Sequence, residues 1–269
     1  MDDILTEITS PALIRAAKRN LYALFRQFGR SVSAESFENR QIFRWQTPVQ
    51  HPWFNGVLSL QPPDRDAGQT ISDILAYFRT RRVAEFTWWL EPGVPQAGWE
   101  EHLSVQGLRY NDQTPGMALI LASMQDFRIP PELHIRQVTD LAELKVWTHT
   151  FVTGYGIPEI WELDFFNLSK SLGFGVPFQH YLGFWNDQPV AASTLFLGAG
   201  VAGLYNVATL PAARGRGIGA AMSGFPLVEA RQMGYRVAIL QSSEMGIGVY
   251  QRLGFVKVCA MDHFYEMTG

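Results

Sequence analysis

The 269-residue chain contains a single cysteine, Cys259, so no disulfide can close within it and nothing points to an oxidising compartment. It also lacks a dominant charge: 22 Lys and Arg stand against 25 Asp and Glu, a net charge of −3. Such a balance gives no general pull toward nucleic acid or an anionic membrane, and neither is expected as a partner. His51, His102, His134, His149, His180 and His263 show no metal-ligand spacing, so no metal is expected. The start, Met1-Asp2-Asp3-Ile4, is acidic and without an apolar core, which reads as no signal peptide and gives a cytoplasmic expectation. Val190 to Leu210 is uncharged and about as long as a membrane-spanning helix. Gly198, Gly200 and Gly203 punctuate it, however, and Pro189 and Pro211 bracket it, so it reads as two buried strands around a turn.

What is present describes a folded globular protein: 47% hydrophobic residues and 17% charged. Pro130-Pro131 marks a seam within Met124–Leu133, because two prolines hinder a helix and favour an extended connector. Domains at 1–128 and 129–269 follow. After the seam, strands are expected near 134–138, 180–185, 190–197, 201–209 and 236–241, with a last one from Phe255. Helices are expected near 140–153, 159–172, 217–233 and 245–253, the first with Asp140 and Glu143 as a capping box. Strands alternating with helices in this way imply a mixed α/β sheet.

The first half repeats part of that order. Gly56–Leu60 reads as a strand, Thr70–Arg81 as a helix, Glu85–Leu90 as a strand, Trp99–Val105 as a helix ending at Gly107, and Met117–Leu121 as a strand. The helix-ending glycines lie at similar offsets, 107 − 56 = 51 against 254 − 200 = 54. Leu103-Ser-Val-Gln-Gly107-Leu108 sits beside Tyr250-Gln-Arg-Leu253-Gly254-Phe255. This suggests an internal duplication with an eroded first copy.

The chemistry concentrates at Arg214-Gly215-Arg216-Gly217-Ile218-Gly219, between a strand and a helix. Glycines at alternate positions let the backbone turn so that its amides point into one cavity beside the open N-terminus of the helix, an arrangement suited to a diphosphate. Arg214 and Arg216 add charge and forked donors. No Gly-Lys-Ser/Thr ending follows, so this is not a Walker loop. The dinucleotide fingerprint would need glycine where Ala220 stands, although alanine is sometimes tolerated there. Alone, the hexapeptide also reads as a glycine-rich turn with two solvated arginines. A second element lies downstream: Ser243, Gly246, Val249-Tyr250 and Leu253-Gly254-Phe255, which places a tyrosine on a short helix ending at glycine.

Together these elements resemble the GCN5-related N-acetyltransferase family. Its loop pattern, Arg/Gln-x-x-Gly-x-Gly/Ala, is matched by Arg214, Gly217 and Gly219. Its later pattern is matched by Ser243, Gly246, Val249-Tyr250 and Leu253-Gly254-Phe255. The resemblance covers roughly His134 to the C-terminus and implies a GNAT-like fold there, preceded by a smaller, degenerate GNAT-like domain. It implies acetyl-CoA as the acyl donor, with its diphosphate on the 214–219 amides and the adjoining Ala220. The pantetheine arm would lie on Val207, Ala208 and Thr209, which a bulge opens, and the Val207 amide would polarise the acetyl carbonyl. Ser243 takes the place of the family's asparagine, and Tyr250 would protonate the departing sulfur.

One departure stands out. Some members carry a glutamate early on the strand before the loop as general base, whereas Val201–Thr209 has no carboxylate. Glu162, Asp164, Glu244 and His180 are alternatives by chain proximity only. Tyr155, Trp161, Phe165 and Phe166 suggest a partly apolar acceptor site, with Glu159 or Glu162 available to a cation; ordinary core packing explains them equally well. Of the adjacent Trp88 and Trp89, one is expected in the core and the other facing the partner half or a ligand. Pro62-Pro63-Asp64-Arg65-Asp66-Ala67-Gly68 in the first copy is a poor anion nest, so that half is expected neither to bind CoA nor to catalyse. The reading is acetyl transfer to a small-molecule amine or peptide N-terminus by direct attack, in a monomer or homodimer. The rivals are a non-catalytic acyl-CoA-binding regulator and a nucleotide- or NAD-binding protein.

Overall fold

A computed structural model describes residues 3–90 and 96–266. Its first half runs α1 (Ser10–Phe28), β1 (Glu35–Glu38), β2 (Ile42–Gln46), β3 (Gly56–Ser59), α2 (Ala67–Thr80), β4 (Thr87–Leu90), α3 (Gln96–Val105) and β5 (Leu108–Ile120). The second runs β6 (Leu133–Gln137), α4 (Leu141–Tyr155), α5 (Glu162–Leu172), β7 (Phe178–Trp185), β8 (Gln188–Gly198), β9 (Val201–Thr209), α6 (Ile218–Gln232), β10 (Val237–Gln241), α7 (Glu244–Arg252) and β11 (Val256–Glu266). No helix among the described residues is long and apolar enough to cross a membrane.

The chain packs as two compact units. The N-terminal unit comprises Phe25–Thr114 with Cys259–Gly269, and the C-terminal unit comprises Met1–Leu24 with Pro115–Val258. This division differs from the expected segments 1–128 and 129–269, because the last strand of each sequence half is not retained by its own half.

In the C-terminal unit the sheet order is β6-β7-β8-β9-β10 and then the end of β5. Antiparallel pairs join β6 to β9, β9 and β10 are parallel, and β10 pairs antiparallel with Gly116–Ile120. The run at 190–210 forms a hairpin whose two-residue turn, Ala199-Gly200, has φ of 54° and 75°, the left-handed geometry that matches strand twist. The core gathers Leu195, Leu204, Met222, Leu227 and Leu240 with α6 against one sheet face. Asp140 caps α4 by accepting from Glu143 N at 2.8 Å. The returning Glu143 carboxylate binds Thr139 N at 2.9 Å and Oγ1 at 3.1 Å rather than Asp140, so the expected capping box is displaced by one residue.

In the N-terminal unit the order is β1-β2-β3-β4-β11. β2 and β3 are antiparallel, β3 and β4 parallel, and β4 pairs antiparallel with Asp262–Tyr265 of β11. This repeats the pattern of β8-β9-β10 with its following strand, down to the helices α2 and α3 in the places of α6 and α7. Its core gathers Val57, Ile71, Phe78, Trp88, Trp99 and Leu103.

Candidate functional site

The site is built where β9 loses its partners. On one side, Ala192 of β8 faces Ala208 while Thr194 faces Tyr205, so Asn206 and Val207 together lie opposite Ser193. This is a β-bulge, and Asn206 takes φ 53°, a left-handed conformation that asparagine tolerates better than most residues. On the other side, β9 is paired with β10 only at Ala202–Ala238 and Gly203–Ile239. Beyond Gly203 the pairing of β9 with β10 stops, which leaves the rest of β9 without a strand on that side. A cleft of about 590 Å³ opens there.

The loop after β9 closes one end of the cleft. Gly215 and Gly217 both have φ 79°, and a Cβ at either would meet nothing within 4 Å. Glycine is therefore required here by backbone conformation and not by crowding. Among the described residues, the N–H groups of Gly215 through Ala220 donate to no protein acceptor; the first one satisfied is that of Ala221, bound to Gly217 O at 3.2 Å. These are the orphan donors that any helix start leaves, here extended upstream by the loop. Arg214 lines the cleft but is also a fastener: Nε donates to Thr209 O at 3.1 Å and Nη2 to Gly154 O at 2.8 Å. That ties the end of β9 to the last turn of α4, where Gly154 packs so closely on Ala208 that a Cβ would come within 2.9 Å.

From the opposite wall comes α7. Ser243 is its N-cap residue; its side chain makes no capping hydrogen bond, and the residue lines the cleft. Tyr250 packs its ring against the core and edge-on to Phe255, with centroids 5.8 Å apart. Its hydroxyl has no protein partner among the described residues and is not sealed from the cleft. Gly246 lies one turn earlier because a Cβ there would stand 2.8 Å from Tyr250 Cε2. Burial, reinforced by the neighbouring Tyr155 phenol, holds the Tyr250 hydroxyl well above the usual phenol range, so it is a protonated group throughout ordinary pH. Tyr155 also lines the cleft, and desolvation of its phenol there pushes its pKa up to about 12.

Of the residues singled out in the sequence, the cleft gathers Val207, Ala208, Thr209, Arg214, Gly215, Gly217, Ile218, Gly219, Ala220, Ser243, Gly246 and Tyr250. Arg216 is not brought in: its guanidinium lies 5.2 Å from the Trp185 ring and donates to Ala212 O at 3.4 Å. Residues not foreseen there are Ser223, Gln241, Met245 and Arg252. Glu162, Asp164 and Glu244 do not line it, and Glu162 is paired with His149 Nδ1 at 2.9 Å. His180 is buried beneath α4, and burial lowers its pKa to about 4, which makes it a poor proton acceptor. Phe165 is core, packed on Phe151, while Trp161 and Phe166 are half-buried. Trp88 and Trp89 are both buried, the first bonded to Ser59 Oγ at 2.8 Å and the second tilted against the His263 ring with centroids 4.1 Å apart. Among the described residues no group of three His, Cys, Asp or Glu side chains could hold a metal ion.

Residues 142–255 match the model of the acetyltransferase (GNAT) family. No curated protein matches the sequence. Among solved structures, the chain is similar to a GCN5-related N-acetyltransferase from Kribbella flavida, with TM-score 0.73 and 17% identity over 94% of this chain and 96% of that one. A tandem GNAT protein from the clavulanic acid biosynthesis pathway matches with TM-score 0.60 and 11% identity, covering 95% and 94%. A GCN5-related N-acetyltransferase from Sphaerobacter thermophilus matches with TM-score 0.59 and 15% identity, covering 84% and 80%. The mixed α/β fold in two successive GNAT-like copies is thus shared with known structures.

Proposed function

We propose that this chain, whose residues 142–255 match the GNAT family model, transfers an acetyl group from acetyl-CoA to the amine of a small molecule or peptide N-terminus. One observation carries the reading. Six consecutive amides, Gly215 to Ala220, are without a protein acceptor at one end of the same cleft that holds an unpartnered, protonated Tyr250 hydroxyl. The residues fit the donor in kind. The amides and the positive end of α6 suit a diphosphate. The free edge of β9 suits a pantetheine arm, whose amides pair as a strand would.

Acetyl-CoA supplies the activated acyl thioester. The chain's own groups then divide the work. The Val207 N–H, at the bulge and beside the cleft, supports negative charge developing on the acyl oxygen, a contact of the oxyanion type. The Tyr250 hydroxyl gives its proton to the departing sulfur as a general acid. Arg214 holds the floor of the cleft together and leaves a positive charge beside the loop. Among the described residues no carboxylate lies on β9 or lines the cleft to accept the amine proton, so the amine attacks in its neutral form or loses its proton to water. Direct attack is favoured over a covalent acyl-enzyme, because Cys259, the single thiol of the chain, is not among the cleft residues.

The test is calorimetric titration with CoA, ATP and NAD, followed by incubation of acetyl-CoA with a broad amine panel while free thiol is measured. Binding of CoA with thiol release for at least one amine supports the reading. CoA binding without release for any amine favours the acyl-CoA-binding regulator, and stabilisation by ATP or NAD but not CoA overturns both.

A further inference from the structure

The bulge at Asn206–Val207 is surrounded by buried polar side chains that the proposed reaction does not use. Thr194, directly across the shifted register, is 1% exposed, and its Oγ1 accepts from Asn206 Nδ2 at 3.3 Å. The same Oγ1 lies 2.8 Å from Nδ1 of His180, its cross-strand neighbour on β7, which is 2% exposed. From α4, the Trp147 indole covers the His180 ring at 4.3 Å, and its N–H donates to Ser193 O at 3.1 Å. Ser193 is the residue that the two bulge residues share. Three strands and a helix therefore converge on one irregularity.

A bulge in an antiparallel pair can relax by a one-residue slip, which would turn every following side chain and amide to the other face. Apolar residues at 180 and 194 would pack this sheet face without help and would leave such a slip unopposed. The polar pair does something they cannot. The Asn206 carboxamide is pinned while its backbone is left-handed, and the Ser193 carbonyl is satisfied from outside the ladder. We infer that Thr194, backed by His180 and Trp147, is a positioning residue that locks the Asn206–Val207 bulge and so aims the Val207 amide. This rests on the reading above that the amide faces the acyl oxygen. In the lock, Thr194 receives the Asn206 N–H and gives its own proton to Nδ1 of a neutral His180. The reaction itself needs neither side chain.

The experiment compares Thr194→Val, which keeps the shape and loses the hydroxyl, with Thr194→Ser, which keeps the hydroxyl. A misplaced amide is expected to lower kcat about tenfold to a hundredfold in Thr194→Val, with CoA affinity within about twofold of wild type. Thr194→Ser should recover to within about threefold of wild type, a rescue that a mere packing defect would not give. In 15N-labelled protein, the Val207 amide shift produced by acetyl-CoA, relative to that produced by CoA, should shrink in Thr194→Val and return in Thr194→Ser. Wild-type turnover in Thr194→Val, or equal losses of kcat and CoA affinity without rescue by serine, overturns the lock while leaving the proposed function in place. If wild type itself binds no CoA, the proposed function falls and the lock's role falls with it.

Discussion

The two copies of the strand–loop–helix unit use the same parts to opposite ends. In the C-terminal copy, β9 and β10 are paired at two positions and then part; in the N-terminal copy, β3 and β4 stay paired over all four residues, from Gly56–Thr87 to Ser59–Leu90. The C-terminal loop opens six amides to a cleft. The corresponding N-terminal loop supplies its own anion: Asp64 Oδ1 accepts from Asp66 N at 2.9 Å, and Asp64 O accepts from Ala67 N at 3.2 Å. Where the C-terminal copy has glycines and a tyrosine, the N-terminal copy has tryptophans. Trp88 Nε1 binds Ser59 Oγ at 2.8 Å, Trp99 Nε1 binds Gln61 O at 2.9 Å, and the position of Tyr250 is taken by the fully buried Leu103. The comparison teaches that a binding cleft in this fold is made by pairing that is withheld, and that indoles and one aspartate suffice to close it.

That contrast can be broken at matched positions. The largest effect is expected from Tyr250→Phe, which should lower thiol release about 10² to 10⁴-fold while CoA affinity is nearly unchanged. Leu103→Ala, at the equivalent place, should leave kcat alone and instead cost about 2–5 kcal/mol of stability in urea unfolding, as a core cavity does. Next comes Gly217→Val, whose branched side chain cannot hold φ 79° without strain and would also crowd the open amides; CoA affinity should fall on the order of a hundredfold by calorimetry. In the N-terminal copy, Gly68→Ala in the first turn of α2 meets open space and should raise stability by about 0.5–1 kcal/mol without touching CoA binding.

A smaller effect is shared by both copies. Burial lowers the pKa of His180 and of His51 to about 4 each. A group whose folded value is depressed stabilises the fold above its ordinary value and loses that contribution as the pH falls, so urea midpoints should drop between pH 6.5 and about 4. Replacing His51 with Gln should flatten part of that fall; an unchanged slope would show that His51 keeps its ordinary value in the folded state. The smallest effect is expected from Arg216→Ala, which should change CoA affinity by no more than about twofold, because this side chain is turned toward Trp185. A large loss there would mean that the loop rearranges around its ligand.

Much of the fold was legible because its signals are local. Asp140 announced a helix start, the glycine and proline punctuation around 186–211 fixed two strands, and the glycines at 215, 217 and 219 marked the loop before any geometry was known. What escaped depends on partners distant in sequence. The bulge at Asn206 exists only against Ser193, and the parting of β9 from β10 has no residue-level signature in either strand. The seam at Pro130-Pro131 looked like a boundary because prolines break local structure, yet packing divides the chain at Thr114–Pro115, inside a single strand. Helix α1 could have been found: Ala12, Leu13, Ala16, Ala17, Leu21, Leu24 and Phe25 are buried at helical spacing. Arg216 shows the converse limit, since composition alone cannot tell which of two neighbouring arginines faces the ligand side.

The closing strand of the N-terminal sheet has a consequence for how the protein is made. The partner of β4 is supplied by Asp262–Tyr265, some 170 residues further along the chain than β4 itself. On the ribosome, therefore, the N-terminal sheet emerges with an open flank and stays so until residues 262–265 have been made. It is completed only after the last segment of the C-terminal unit, and during that interval the bare edge at Thr87–Leu90 is open to a chaperone or a neighbouring nascent chain.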